Sequence, residues 1–229
     1  MPLPAALVLL SAGYSVDAIE QALAVDPHVP GRMERVILET GPALHDEDQS
    51  RMPLAFVDFA HTPDAVAAAR KALRHHTSGA LIVVLGAGGD RDAGKRSAMG
   101  AAAASHADIV FVTDDNPRSE DPAEIRAAVL AGAISRTAGV PRVREIGDRS
   151  AAIRAAVALS GVGDTVVVLG KGHESGQDIG GAIHPFDDRA ELRAALIEHA
   201  APKAHTAGQD PVGQELGHRS ADVSRGEVQ

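Results

Sequence analysis

Cysteine and tryptophan are absent from this chain of 229 residues, and aromatic residues make up only 2% of it. Without cysteine the chain has no disulfide scaffold and no thiolate chemistry, which fits a reducing compartment. With so few aromatic side chains, a hydrophobic core must be built from Ala, Val, Ile and Leu. The length is sufficient for one well-packed α/β domain with appendages.

Basic residues are also in deficit, with 22 Lys and Arg against 31 Asp and Glu and a formal net charge of -9. No cluster of Lys and Arg forms a stripe along a predicted helix, so binding to nucleic acid or to an anionic membrane is disfavoured. Phosphorylated small molecules stay open as ligands, because a local site can oppose the net charge. The apolar run within residues 1–14 is too short to span a bilayer and follows no basic segment. We therefore expect a cytoplasmic protein.

Short apolar runs alternate with helical segments in the central part of the chain. The runs are 54–57, 80–85, 108–112, 143–146 and 164–169, and a helix is expected to begin at each of Thr62, Asp121, Asp148 and Asp187. This alternation predicts an α/β fold with a mostly parallel sheet and helices on both faces. Residues 178–184, with Gly180 and Gly181 at their centre, predict a hairpin that adds an antiparallel edge.

The remaining segments suggest how the chain is divided. Residues 1–38 contain two short helices and a turn leading into a strand. Two short helices cannot bury a hydrophobic core alone, so we interpret them as the end of a larger folded unit. Residues 39–53 are polar and predict a linker, and residues 54–200 form the main domain. Residues 201–229 are polar without periodicity, which predicts a disordered tail.

Polar loops follow three of the predicted strands. They are residues 86–96 (the Arg91 loop), Asp115-Asn116-Pro117-Arg118 (the DNPR loop) and Gly170-Lys171-Gly172-His173-Glu174 (the GKGHE segment). Carboxyl ends of parallel strands share one edge of the sheet, where α/β proteins bind ligands. Arg91 and Arg118 in one crevice suggest an acidic ligand, and Glu174 opposite them would accept an ammonium group. From its four residues alone, however, the DNPR loop is equally compatible with a plain turn.

The Arg91 loop has three readings. Gly89, Gly94 and Lys95 match the spacing of a phosphate-binding Walker A loop, but Arg96 stands where a Ser or Thr hydroxyl would hold magnesium. The glycines also fit a tight strand-to-helix turn, or a loop that aims the Arg91 guanidinium at a carboxylate, and both readings are favoured over the Walker A loop. His61, His173 and His184 are too scattered for metal-ligand spacing, so we expect no metal site formed by protein side chains alone.

Six motifs together resemble the Mur ligase family, in the family's order over residues 29–196. They are Val29-Pro30-Gly31-Arg32-Met33-Glu34, Asp58-Phe59-Ala60-His61-Thr62-Pro63-Asp64, the sequence from Gly88 to Arg96, the DNPR loop, the GKGHE segment and Phe186-Asp187-Asp188-Arg189. The resemblance implies a Rossmann-like C-terminal domain, preceded in residues 1–38 by the last helices of the family's central, ATP-binding domain. It also implies an ATP-dependent amide ligase of peptidoglycan synthesis that uses ATP and Mg²⁺ in the complete enzyme. The family's Walker A loop and UDP-sugar domain are missing from this sequence, so we expect neither cofactor to bind this chain alone.

The resemblance also implies roles for individual residues. Positions that contact meso-diaminopimelate in the family are matched by Arg91, Asp115, Asn116, Pro117, Arg118, Gly170 and Glu174, and those that reach the nucleotide by Arg32 and Asp58. No residue is matched to a catalytic role. Diaminopimelate differs from lysine by a carboxylate on its far carbon, and Arg118 offers that carboxylate a bidentate contact that lysine leaves unused.

Two further hypotheses follow from the missing parts. The first is the C-terminal portion of a ligase that adds meso-diaminopimelate to UDP-MurNAc-L-Ala-D-Glu, inactive alone, with the missing domains as its partners. The second is a separate domain that binds amino acids or nucleotides, or that supplies half of a site to a partner chain. Under both, the ligands are small molecules, with no nucleic acid and no membrane involved.

Overall fold

The computed structural model describes residues 3–24, 29–38, 52–135 and 142–201. Most of the predicted linker and all but Ala201 of the predicted tail lie outside these residues. Within the described ranges, no helix has the length and apolar character needed to cross a membrane. The division into a central-domain remnant and a C-terminal domain stays a prediction.

Seven helices and eight strands make up the described part of the chain. The helices are α1 (Leu3–Ser11), α2 (Val16–Ala24), α3 (Pro63–Arg74), α4 (Gly94–Ala104), α5 (Pro122–Ile134), α6 (Arg149–Ala158) and α7 (Asp188–Ala200). The strands are β1 (Glu34–Arg35), β2 (Leu54–Asp58), β3 (Leu81–Leu85), β4 (Ile109–Val112), β5 (Arg142–Glu145), β6 (Thr165–Leu169), β7 (Gly176–Ile179) and β8 (Ala182–Pro185). The predicted alternation of strands and helices is therefore confirmed.

Four helices begin where the sequence predicts, and side chains explain why. The side-chain oxygens of Thr62, Asp121, Asp148 and Asp187 each accept a hydrogen bond from a backbone N–H in the first turn of the helix that follows. These N–H groups have no partner inside the helix, so each cap stabilises the helix start by about 1 kcal/mol.

Six strands form one sheet in the order β1-β2-β6-β3-β4-β5. All neighbouring pairs are parallel except β1 with β2. Strands β3 and β6 are buried at every residue, and alternate side chains face two separate hydrophobic clusters. Helices α3, α4 and α5 cover one face, and α6 and α7 cover the other. The predicted sheet with helices on both faces is confirmed.

The predicted hairpin forms, but it does not extend the main sheet. Strands β7 and β8 make a separate two-stranded sheet, joined by Gly180 and Gly181 with φ of 61° and 83°. Its neighbour is the DNPR loop, because the Arg118 N–H donates to the Asp178 carbonyl at 2.9 Å and the Gly180 N–H donates to the Arg118 carbonyl at 2.7 Å. The antiparallel edge of the main sheet is β1 instead. The hairpin thus braces the DNPR loop.

Candidate amino-acid-binding site

Loops that follow three neighbouring strands enclose one cavity at the carboxyl edge of the sheet. Strand β3 pairs with both β4 and β6, so the Arg91 loop, the DNPR loop and the GKGHE segment begin side by side. The cavity has a volume of about 210 Å³. Its walls are formed by Phe59, His61, Ala87, Gly88, Arg91, Lys95, Met99, Asp115, Asn116, Arg118, Gly170 and Glu174. Of the residues matched to amino-acid binding, all line this cavity except Pro117.

The Arg91 loop and the DNPR loop are in direct backbone contact. The Gly89 N–H donates to the Asn116 carbonyl at 2.8 Å. A Cβ atom on Gly89 would lie only 1.9 Å from the carbonyl oxygen of Pro117, so no larger residue fits without separating the loops. Pro117 is buried at this contact rather than in the cavity wall. Its role in the structure is therefore to hold the two loops together.

Charged side chains add a second connection between these loops. Arg96 donates two hydrogen bonds to the Glu120 carboxylate, at 2.8 and 2.7 Å, and Ser119 donates through its hydroxyl to Asp90 at 2.7 Å. The hydrogen bonds from Arg96 hold the pKa of Glu120 below its usual value. At the start of α4, the Asp92 carboxylate accepts the Gly94 N–H at 2.9 Å. A carboxylate thus lies at the N-terminus of α4, the end of a helix that attracts anions.

Arg118 has an unusual backbone conformation at the end of the DNPR loop. Its φ of 53° lies in the left-handed region, which costs a non-glycine residue about 1 kcal/mol or more. The two hydrogen bonds to the β7–β8 hairpin hold it there. Its guanidinium Nη1 donates to the Gly89 carbonyl at 2.6 Å, which orients the group along the cavity wall. Both hydrogen bonds that the guanidinium makes to described residues use Nη1, so Nε and Nη2 can face a ligand.

Asp115 supplies a buried carboxylate to the same cavity. The residue is only 6% exposed, and its Oδ1 has no hydrogen-bond partner among the described residues. Burial raises the pKa of Asp115, and the nearby cations Arg149 and Lys171 oppose that rise. Gly170 is close enough that a Cβ there would lie 2.7 Å from Asp115 Oδ2. Gly170 thus provides the space that this carboxylate occupies.

Glu174 lies on the part of the cavity wall formed by the GKGHE segment. Its side chain is 36% exposed, and its Oε2 accepts hydrogen bonds from Asn116 Nδ2 at 2.8 Å and Lys171 Nζ at 3.2 Å. The Lys171 side chain itself is fully buried. Cationic side chains therefore come from the Arg91 loop and from Arg118, while carboxylates come from Asp115 and Glu174. Such a distribution suits a zwitterion.

A fully buried ion pair supports the strand ends behind the cavity. Arg149 donates from Nε and Nη2 to the two carboxylate oxygens of Asp188, at 2.7 and 2.8 Å, and both side chains are 0% exposed. The same guanidinium donates to the Asp114 carbonyl at 3.2 Å and to the Leu169 carbonyl at 3.0 Å. These carbonyls immediately precede the DNPR loop and the GKGHE segment. Arg149 therefore fixes the spacing between the two segments.

The two residues matched to nucleotide binding lie outside the cavity wall. Both oxygens of Asp58 accept backbone N–H groups, from Met33 at 2.7 Å and from Ala60 at 2.9 Å. The exposed Arg32 guanidinium lies 4.4 Å from the ring centroid of Phe59, and this ring lines the cavity. Asp58 thus shapes the turn that presents Arg32 beside the site.

Several cavity residues were not predicted to contact the amino acid. Phe59, Ala87, Met99 and Lys95, the last considered only as a phosphate ligand, line the wall, and Lys171 lies at the centre of its hydrogen-bond network. The glycines that flank Lys171, with φ of 121° at Gly170 and 56° at Gly172, were the available signal, since they mark a backbone that turns sharply. Within the described residues, no group of three or more His, Asp or Glu side chains can hold a metal ion.

Comparison with known proteins shows the family to which the chain belongs. Residues 31–172 match the family model described as "Mur ligase, glutamate ligase domain", so the chain belongs to the Mur ligase family. It is 53% identical, over 194 residues, to the UDP-N-acetylmuramoyl-L-alanyl-D-glutamate--2,6-diaminopimelate ligase of Caulobacter vibrioides, covering 85% of this chain and 36% of that protein. The enzyme of the same name from Corynebacterium efficiens is 54% identical over 171 residues, covering 73% of this chain and 30% of that protein. The resemblance found in the sequence is thus confirmed.

Solved structures support the same assignment. A structure of a UDP-N-acetylmuramoyl-L-alanyl-D-glutamate--2,6-diaminopimelate ligase matches with a TM-score of 0.62 and 38% identity, covering 84% of this chain and 36% of that one. The UDP-N-acetylmuramate-alanine ligase of Thermotoga maritima, 14% identical with a TM-score of 0.54, shares the fold alone. The chain spans about a third of the length of the curated relatives it matches.

Proposed function

We propose that this chain carries the amino-acid-binding part of a ligase that adds meso-diaminopimelate to UDP-MurNAc-L-Ala-D-Glu. The observation that carries the proposal is the convergence of Arg91 and Arg118 with Asp115 and Glu174 on one cavity. The ligand has a carboxylate and an ammonium group at each end, so it needs both kinds of partner. The similarity to relatives named as diaminopimelate ligases supports this choice of amino acid.

Each wall of the cavity has a separate task in this proposal. Arg91 and Arg118 bind carboxylates of the amino acid, and Arg118 takes the one on the far carbon. Glu174 and Asp115 Oδ1, which accepts no hydrogen bond from the described residues, accept hydrogen bonds from an ammonium group of the ligand. Asn116 orients Glu174, while Pro117 and Gly170 set the shape of the site. Held in this way, the reacting amine is positioned for attack on an activated carboxylate.

Selection against lysine follows from the Arg118 geometry. Lysine lacks the far carboxylate, so Nε and Nη2 of Arg118 would have no partner in a lysine complex. A hydrogen bond to a charged group contributes about 1.5–3 kcal/mol. We therefore expect meso-diaminopimelate to bind roughly 10 to 100 times more tightly than lysine.

Isothermal titration calorimetry of the whole chain with each amino acid tests the proposal. Arg118→Ala should abolish the preference for meso-diaminopimelate and leave any weak lysine binding unchanged. Arg193→Ala is the matched control, because Arg193 is an exposed arginine on α7. Equal binding of both amino acids by the unaltered chain, or no binding of either, would reject the assignment.

The nucleotide side of the site is proposed more narrowly. ATP, when bound with Mg²⁺ in the complete enzyme, supplies the phosphoryl group that activates a carboxylate for amide formation. Arg32, exposed and stacked on Phe59, fits a phosphate contact beside the amino-acid cavity, and Asp58 holds the backbone of that turn. We propose that this chain is cytoplasmic. On its own it positions the amino acid and does not catalyse the ligase reaction. Phosphate release from ATP, UDP-MurNAc-dipeptide and meso-diaminopimelate by the chain alone would refute that part.

A further inference from the structure

Lys171 is a buried cation at the centre of the amino-acid site that no ligand can reach directly. Its side chain is 0% exposed, whereas that of Glu174, three residues later, is 36% exposed. The turn that links them is closed by a hydrogen bond from the Glu174 N–H to the Lys171 carbonyl at 3.0 Å. Positive φ angles at Gly170 and Gly172 fold the backbone so that the lysine lies inside and the glutamate lies on the wall.

The ammonium group of Lys171 joins three parts of the wall. Its Nζ donates to Asn116 Oδ1 at 2.8 Å and to Glu174 Oε2 at 3.2 Å, and it lies 3.5 Å from Asp115 Oδ1. Asn116 Oδ1 also accepts the Asp178 N–H at 3.0 Å. Two donors at Oδ1 fix the orientation of the amide, so Asn116 Nδ2 must point towards Glu174. Lysine and asparagine thus both bind Oε2 and leave Glu174 Oε1 for a ligand.

The ammonium group of Lys171 is shared by two carboxylates. Arg149 is paired with Asp188, which leaves Lys171 as the cation within 3.5 Å of both the buried Asp115 and the 36% exposed Glu174. A buried carboxylate is costly without a cation close by. An ammonium group of the ligand at Glu174 would add a second cation to this cluster, while Arg91 and Arg118 bind the ligand's carboxylates.

We propose that Lys171 is a positioning residue that, together with Asn116, holds the Glu174 carboxylate in the orientation that accepts the ligand's ammonium group. This inference rests on the proposed function and adds a residue that does not touch the amino acid. A simple Coulomb argument opposes it, because removing a nearby cation strengthens the pull of two carboxylates on an ammonium group. The hydrogen-bond geometry predicts weaker binding instead. Without Lys171, the Glu174 carboxylate loses one of the two donors that hold its Oε2.

A double-variant cycle measured by calorimetry separates these views. The variants are Lys171→Met, Glu174→Gln and the two combined, with meso-diaminopimelate as the ligand. We expect Lys171→Met to weaken binding by about tenfold, and the combined variant to bind no more weakly than Glu174→Gln alone, because the lysine acts through the glutamate. Tighter binding by Lys171→Met, or losses that multiply in the combined variant, would overturn the proposal.

A second ligand tests whether the effect concerns the ammonium group. 2-Aminopimelate keeps both carboxylates of meso-diaminopimelate and lacks one amino group. Lys171→Met should weaken binding of meso-diaminopimelate much more than that of 2-aminopimelate. Equal losses for both ligands would mean that the variant disturbs the cavity in general, and Lys71→Met, at an exposed lysine on α3, supplies the control.

Two measurements keep the test valid if Lys171→Met does not fold. Lys171→Gln retains a neutral hydrogen-bond donor and can replace Lys171→Met in the double-variant cycle. The same results would support or overturn the proposal. The unaltered chain can also be followed by NMR of the Lys171 ammonium group, whose signal should shift with meso-diaminopimelate and not with 2-aminopimelate; equal shifts count against the proposal. Failure of the unaltered chain to bind meso-diaminopimelate rejects the proposed function itself, whereas normal binding by the Lys171 variants rejects only this inference.

Discussion

Replacing Arg149 by methionine should destabilise the fold strongly, because the change leaves a carboxylate buried without its cation. Both Arg149 and Asp188 side chains are 0% exposed, and the arginine makes two short hydrogen bonds to Asp188, of 2.7 and 2.8 Å. Breaking such a buried pair from one side costs about 3–5 kcal/mol. Domains of this kind are stable by only about 5–15 kcal/mol. Arg149→Met should therefore remove a large share of the total.

Urea unfolding followed by far-UV circular dichroism is the suitable assay, because the chain has one tyrosine and no tryptophan. With a slope of roughly 2 kcal/mol per M, the midpoint should fall by about 1.5–2.5 M. The control is Arg154→Met on the same helix, whose side chain is 46% exposed with ion pairs of 3.6 Å, and it should change stability by less than about 1 kcal/mol.

The double variant Arg149→Met with Asp188→Leu tests the cause of the loss. An apolar pair in place of a buried ion pair is often neutral or stabilising, so most of the lost stability should return. If Arg149→Met costs no more than the control, or if the double variant is as unstable as the single one, the buried charge is not what destabilises the variant. Some loss should remain, since the Asp114 and Leu169 carbonyls have lost a donor.

Two further predictions concern a pKa and a helix contact. The raised pKa of Asp115 means that the folded chain binds this proton more tightly than the unfolded chain, so its contribution to stability is lost as pH rises from its ordinary pKa of 3.8 through the raised value. Asp115→Asn removes that dependence. The difference in unfolding free energy between the unaltered chain and the variant, measured by urea unfolding at several pH values, should therefore change with pH. A difference that stays constant would contradict the shift. Gly132→Ala should cost about 1–3 kcal/mol, because its Cβ would lie 1.8 Å from the Ser97 carbonyl oxygen, whereas Gly161→Ala, with no neighbouring atom closer than 4.0 Å, should be nearly neutral in the same unfolding assay.

The fold was largely predictable because its signals are local. Apolar runs of four to six residues became strands, and the caps at Thr62, Asp121, Asp148 and Asp187 begin helices as expected. The position of the hairpin, in contrast, is not determined by local sequence signals. Its glycine turn predicted β7 and β8, but their position depends on backbone pairing with the DNPR loop, some sixty residues earlier in the chain. Sequence periodicity reports local structure and cannot predict a contact between segments so far apart in the chain.

The sequence predicted the residues that line the cavity better than those whose side chains contact one another. Arg91, Arg118 and Glu174 lie on one cavity, as their positions after neighbouring strands implied. Lys171 could not be distinguished from an exposed lysine, because burial of a charge depends on partners brought together by the whole sheet. In the sequence, Arg96 was only the residue that departs from the Walker A pattern. In the structure it pairs with Glu120, which follows the next strand, and no sequence signal indicated this contact.

Backbone strain and most of the buried charges of the described residues lie at one edge of the sheet. In the described part of the chain, the non-glycine residues with positive φ are Met33, Asp90 and Arg118, and all three lie in loops at the carboxyl edge beside the cavity. The buried charges of Asp115, Lys171 and the Arg149–Asp188 pair lie at the same edge. Away from this edge, Arg70 on α3 is also buried, and the Arg74–Asp108 ion pair is partly exposed, with side-chain exposures of 33% and 52%. Strain and buried charge are typical of functional sites, so this distribution favours the carboxyl edge as the binding edge on physical grounds that do not depend on the relatives.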